Sequence, residues 1–177
     1  FKGISRNVQL FFTFNPVKKA ELELKFADQK ILETREVSEH SPKDTGALER
    51  AIANYQSTAT NLKARLEGLR ETSQNPNVDK LLDKLADRTV KHSELFEELQ
   101  EKAEDKSKPE FDKVKDALGE GFLRAAERIE EPDKLVRRLK HALDEREVGD
   151  ELEKVRKVEF FDHLEKKADH KVKEELR

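Results

Sequence analysis

Apolar side chains recur along most of this chain in alternating steps of three and four, the spacing that gathers them on one stripe of an α-helix. The clearest run is Leu48, Ile52, Tyr55, Ala59, Leu62, Leu66 and Leu69; after Gln74-Asn75-Pro76 it resumes at Leu82, Leu85, Thr89, His92, Phe96, Leu99 and Ala103. Two seams joined by a short Asn-Pro break predict a central antiparallel hairpin over 44–105, each arm about 40 Å long at about 1.5 Å per residue. Gly68 is the weak point of the first arm, since glycine inside a helix costs roughly 0.5–1 kcal/mol relative to alanine; it is read as marking a close crossing.

The same pattern extends to both sides. A first long helix over 15–40 is announced by Asn15-Pro16, an N-cap followed by a residue with no donor to lose. Its seam is Val17, Ala20, Leu24, Ala27, Ile31 and Thr34, widened by Leu22 and Phe26, which predicts contact with two neighbours. Ahead of it, Ile4, Val8, Phe11, Phe12 and Phe14 predict a short apolar helix over 1–14. The plain reading is a plug for one end of a bundle; the sharper one is a partner-docking patch at Phe11, Phe12 and Phe14. Ser41-Pro42-Lys43-Asp44 reads as a capping sequence, with the acid at the positive end of the helix dipole.

The C-terminal helices occupy 107–177. Ser107 and Glu110 have capping-box spacing, and Phe111, Val114, Leu118, Phe122, Ala125 and Ile129 form the next seam. Gly119 and Gly121 are expected to loosen or bend that helix; as a phosphate loop they fail, lacking a preceding strand and a following Lys-Ser/Thr. Glu131-Pro132-Asp133 opens a shorter helix with Leu135, Val136, Leu139, Ala142 and Leu143. A last helix, from Asp150, carries Leu152, Val155, Phe161, Leu164, Ala168 and Val172, and its charged tail is expected to fray or project. No run alternates with a strand's period. The fold class is therefore all-α, an elongated single-domain bundle of long antiparallel helices without a sheet.

Composition supports that shape. Of 177 residues 34% are hydrophobic and 42% charged, too lean for a thick core but sufficient for rods that touch along stripes. Basic and acidic residues number 36 and 39 and are interleaved, which leaves no basic face for nucleic acid. Cysteine is absent, so disulfides, thiolate metal sites and cysteine nucleophiles are excluded. Methionine is absent even at position 1; the chain is expected to be a processed product or a fragment, any signal or membrane-proximal anchor lying upstream of Phe1.

Candidate chemistry is sparse. No motif of a hydrolase, zinc protease, phosphate loop or calcium loop is present, and no catalytic, cofactor-binding or metal-binding residue is assigned; no small-molecule substrate is indicated. His163 and His170 share a face but stand about 10 Å apart along the axis, and Glu159 with His163 makes two ligands at most, so an ordinary surface pair is expected. His92 differs, because it interrupts an apolar seam. It is expected to be a buried residue that hydrogen-bonds across the hairpin and sets its register; the alternative is a pH-sensitive contact that loosens on protonation.

Two stretches bear a family resemblance. FKGISRNVQLFFTFNPVKKAELEL over 1–24 and NPNVDKLLDKLADRTVKHSELFEEL over 75–99, specific at LFFTFNP-KKAEL and NPN-DKLLDKL, resemble a bacterial domain-of-unknown-function family of secreted or membrane-anchored helical proteins, over nearly the whole chain. That resemblance implies an extracytoplasmic location and brings no catalytic residues. The expected function is a non-enzymatic structural or protein-interaction module of the cell envelope or an extracellular assembly, with a protein partner or self-association. The alternative is a periplasmic helical chaperone or metal-stress sensor.

Overall fold

The computed structural model describes residues 14–41 and 43–144, with positions 10, 160, 162, 164–166, 168, 172 and 173. Among the described residues every regular element is a helix: α1 (Pro16–His40), α2 (Thr45–Glu67), α3 (Pro76–Lys102), α4 (Lys108–Glu127) and α5 (Pro132–Asp144). The protein is all-α. The predicted helix at 1–14 lies almost wholly outside the described residues.

Helix starts follow the capping logic at α1 and α3. Asn15 Oδ1 accepts from the Lys18 amide at 3.1 Å with Pro16 behind it, and Asn75 Oδ1 accepts from the Asn77 amide at 2.8 Å; at α2 it is Asp44 Oδ1 that accepts, from the Ala47 amide at 2.8 Å. Each supplies an oxygen to an amide that the first helical turn leaves unpaired. Three expectations are corrected here. Ser41 does not open α2 but ends α1 as its C-cap, because Asp44 lies nearer the first free amides. Gly68 does not sit inside a crossing but ends α2 as its C-cap, its amide donating to Ala64 O at 3.1 Å. Ser107 forms no capping box through its side chain: Glu110 N donates to Ser107 O, while Ser107 Oγ is buried without a partner. A buried hydroxyl left unmade costs about 1–3 kcal/mol.

Four helices form the bundle. α1 packs on α2 and α3, and α4 packs on the same two from the other side, while α5 lies chiefly on α3. The order around the bundle is thus α1, α2, α4, α3. Lys84 reaches Glu21 and Arg88 reaches Asp28, so α1 and α3 ascend together as parallel neighbours. α2 and α3 run in opposite directions, as the expected hairpin requires. Their backbones do not pack side by side, however; they stand diagonally, meeting through side chains at the centre. The reason is the link. Neighbouring helices sit about 8–10 Å apart and a diagonal is roughly √2 longer, well within reach of residues 68–75 at about 3.3 Å each. Ser73 N donates to Ile129 O at 3.0 Å, tying that link to the α4–α5 turn.

The core has two ends. One is aliphatic, with Val17, Leu24, Leu66, Leu82, Leu85, Leu135 and Leu139. Phe160, Leu164, Ala168 and Val172, spaced by four, are buried in it, as the seam expected at Leu164, Ala168 and Val172 requires; Phe161 and the charged tail beyond 173 lie outside the described residues. The other end is aromatic, with Tyr55, Phe96 and Phe111 among Ile31, Leu48, Ile52 and Leu99. Buried threonines answer their own hydroxyls, Thr34 Oγ1 donating to Lys30 O at 2.9 Å and Thr58 Oγ1 to Asn54 O at 3.0 Å, a back-bond open to residues inside a helix. Gly119 and Gly121 lie within a continuous α4.

Candidate functional site

Between the two ends lies a polar layer centred on His92. α3 carries His92 inward at 5% exposure. Tyr55 Oη of α2 lies 2.8 Å from His92 Nδ1, and His92 Nε2 lies 3.0 Å from Asp28 Oδ1 of α1. Arg88 Nε donates to the other Asp28 oxygen at 3.0 Å. One tautomer satisfies every atom: the phenol donates to Nδ1, and an N–H at Nε2 donates to the carboxylate. The Tyr55 ring meets His92 edge-on at 5.5 Å and Phe96 at 4.8 Å, a geometry that suits ring quadrupoles. Burial, and then the negative charge of Asp28, push the Tyr55 phenol well above its ordinary range.

In order, the array is hydroxyl, imidazole and carboxylate, the arrangement that activates a nucleophile in hydrolases. Here its bonds tie α1, α2 and α3 together. Tyr55 is 1% exposed, and the cavity beside it, of about 50 Å³ under Ala59, Leu118 and Gly121, is far below the roughly 300–1,000 Å³ of a ligand pocket. The hydrogen bond across the hairpin expected of His92 is present, and a second bond reaches α1.

On its outer side the layer opens to a groove of about 370 Å³ between α1 and α3. Ile31 and Leu95 line it, with Asp28, Arg88 and Lys91 also in its walls. Leu32 is 58% exposed there, and Phe14, before the start of α1, is 87% exposed. Phe11 and Phe12 lie outside the described residues, so of the three proposed docking aromatics only Phe14 is placed.

A second polar cluster escaped the sequence reading. Arg138 of α5 grips Glu130 with two parallel bonds of 2.7 Å and also donates to Asp79 and Asp83 of α3 and to Asp79 O at 3.3 Å. The Glu130 side chain has no exposure. The bond to Glu130 above all, with those to Asp79 and Asp83, holds the guanidinium well above its ordinary range against the opposing effect of burial. A signal existed: Arg138 stands three residues after Leu135 and four before Ala142, on the apolar stripe of α5. Glu23 of α1 is likewise buried, with Arg65 Nε of α2 at 3.8 Å.

Glu159, His163 and His170 lie outside the described residues. Among the described residues no group of three or more histidine, aspartate or glutamate side chains is placed to hold a metal ion, and no helix is long and apolar enough to cross a membrane.

Among the described residues, fold and site together define a helical bundle with a crossed connection and a polar layer that opens on its outer side to a groove of mixed apolar and charged lining. The family model described as "Domain of unknown function (DUF5667)" matches residues 1–106, and the chain belongs to this family. No curated protein and no solved structure matches it. The match ends in the turn between α3 and α4, shorter than the near-complete coverage expected from the quoted motifs.

Proposed function

We propose that this protein is a non-enzymatic interaction module that receives an amphipathic helix of a partner protein in the groove between α1 and α3. The observation carrying the proposal is Leu32, more than half bare above Ile31 and Leu95 in a chain whose polar clusters are spent on internal ties. A helix laid in such a groove buries apolar side chains at i, i+3 and i+4 against Ile31, Leu32 and Leu95. The groove walls carry both signs, Asp28 beside Arg88 and Lys91, which suits a ridge flanked by mixed charge. Phe14, about 25 Å away along α1 at about 1.5 Å per residue, extends the same contact. The setting in a bacterial cell envelope or extracellular assembly belongs to this proposal and is supported by the resemblance of the N-terminal motifs.

The test is photocrosslinking in the source organism, with benzoylphenylalanine at position 32, at position 14 and, as a control, at Lys43, which is exposed. A defined adduct at 32 and 14 that is absent at 43, and that Leu32→Asp competes poorly for, supports the reading. Equal labelling at all three positions refutes it. Zinc-dependent thermal stabilisation or suppression of client aggregation would move the assignment to a metal-stress sensor or a chaperone.

A further inference from the structure

We propose that the turn from Ala103 to Ser107 is an exchange hinge, through which α4 and the chain beyond it pass to a second copy, giving a dimer in which each bundle is completed by the other chain's α4. The proposal is independent of the α1–α3 groove. Observations on the turn and on α4 support it.

The closed turn buries a hydroxyl for nothing. Ser107 is 1% exposed and its Oγ has no partner. Straightening the turn releases that atom to water, so the open chain is relieved of a cost that the closed chain bears. Against this, straightening gives up the bond from Ser107 N to Glu104 O at 2.8 Å; Gln100 Nε2 also reaches Lys108 O at 3.3 Å, and the turn's ion pairs, Lys106 with Glu104 and Lys108 with Asp105, are exposed and hold little.

α4 also carries features that weaken it. Two glycines, Gly119 and Gly121, fall inside it, where each lowers helix stability relative to alanine. The central cavity lies beneath it, bordered by Ala117, Leu118, Gly121 and Phe122, so its packing is loosest at mid-length. The family match ends at residue 106, the penultimate residue of the same turn.

What α4 contributes is nevertheless indispensable. Phe111 and Val114 enter the aromatic end, and Phe122 and Leu123 the aliphatic end. Gln100 Nε2 donates to Asp112 Oδ1 at 2.7 Å, and Lys115 Nζ donates to Gln100 Oε1 at 2.7 Å. All of these contacts, with those of Arg138 to α3, re-form unchanged when supplied by an identical chain. A second copy is therefore the occupant that reproduces the whole interface, which is the basis of domain exchange. The hinge sequence, Ala-Glu-Asp-Lys-Ser, is polar enough to lie extended in water.

The chain has no cysteine, so two full-length forms with different tags, one bearing Gln100→Cys and the other Asp112→Cys, give a clean readout. They are refolded together at high concentration and bridged with a short bis-maleimide. A cross-tag product several-fold above that of a control pair, Lys43→Cys with Asp112→Cys, and rising with refolding concentration, is expected. Deleting Glu104, Asp105 and Lys106, which leaves two residues between α3 and α4, the short end of helical-hairpin links, should raise the dimer fraction of the folded protein. Cross-tag product no higher than the control overturns the proposal, as does a shortened turn that gives no more dimer than the full chain.

Discussion

The two polar clusters solve opposite problems. Tyr55, His92 and Asp28 tie three helices together at mid-bundle through bonds between one phenol, one imidazole and one carboxylate. Arg138 gathers three carboxylates at the rim and fastens a single helix, α5, to α3. In the first, every atom has one partner and little charge is buried. In the second, a fully buried carboxylate, Glu130, depends on one guanidinium. Hydrogen-bonded layers of the first kind favour the arrangement that pairs all their atoms, since a buried polar group left unpaired is costly. Charge clusters of the second kind act as a condition: the helix docks only while both signs are present.

The sharpest way to break this contrast is Arg138→Met, which strands Glu130 without a counter-charge. Loss of one member of a buried pair costs about 3–5 kcal/mol, and urea unfolding should show it as a lower midpoint. Adding Glu130→Leu should restore a large part, since a buried pair replaced on both sides by apolar groups is nearly neutral. A double variant as unstable as the single one would show that α5 docks for other reasons.

Tyr55→Phe should cost less, about 1–3 kcal/mol, because it leaves His92 Nδ1 without its donor while keeping the ring packed against Phe96. The same residue offers a pH test. The folded phenol lies well above the unfolded value of about 10, so its contribution is fully present below pH ~10. It is lost as pH rises from there through the folded value, at up to about 1.4 kcal/mol per pH unit. Tyr55 is the single tyrosine and tryptophan is absent, so near-ultraviolet phenolate absorbance reports it alone. That absorbance should rise together with unfolding, whereas an independent earlier titration would show the phenol open to solvent.

The smallest expected effect is at Lys84, whose 2.7 Å bond to Glu21 bridges α1 and α3 on the outside. Lys84→Ala should shift stability by less than about 1 kcal/mol, measured by thermal melting, since exposed pairs gain little over hydration. A loss as large as that of Tyr55→Phe would mean that the α1–α3 contact relies on its rim and not on the polar layer.

The unequal legibility of these clusters has a simple cause. His92 stood out because it broke an apolar row, and any polar atom placed there must find a partner. Arg138 did so too, on α5, but in a chain that is 42% charged one more arginine beside a stripe carries no contrast. Its partners come from α3 and from the turn before α5, fifty-five or more residues away in the case of Asp83 and Asp79. Ser107 shows the converse. Its spacing to Glu110 is that of a capping box, yet the hydroxyl is buried where it can reach no amide. Phe14 was legible as an exposed aromatic candidate, whereas Leu32, an ordinary leucine between Ile31 and Glu33, became a candidate only once the neighbouring α3 left it bare.

Periodicity and caps alone determined that the chain is helical, where α1, α2 and α3 begin, and which stripe of each turns inward. They could do so because the three-and-four spacing and the Asn-Pro and Asp starts act within a few residues of backbone. Which helix lies beside which was settled only by tertiary packing. A buried stripe is equally satisfied by a neighbour or by the helix across the core, and residues 68–75 are long enough for either. Placing α4 between α2 and α3, and His92 against Asp28, depended on filling volume and pairing polar atoms over distances in sequence that no local pattern spans.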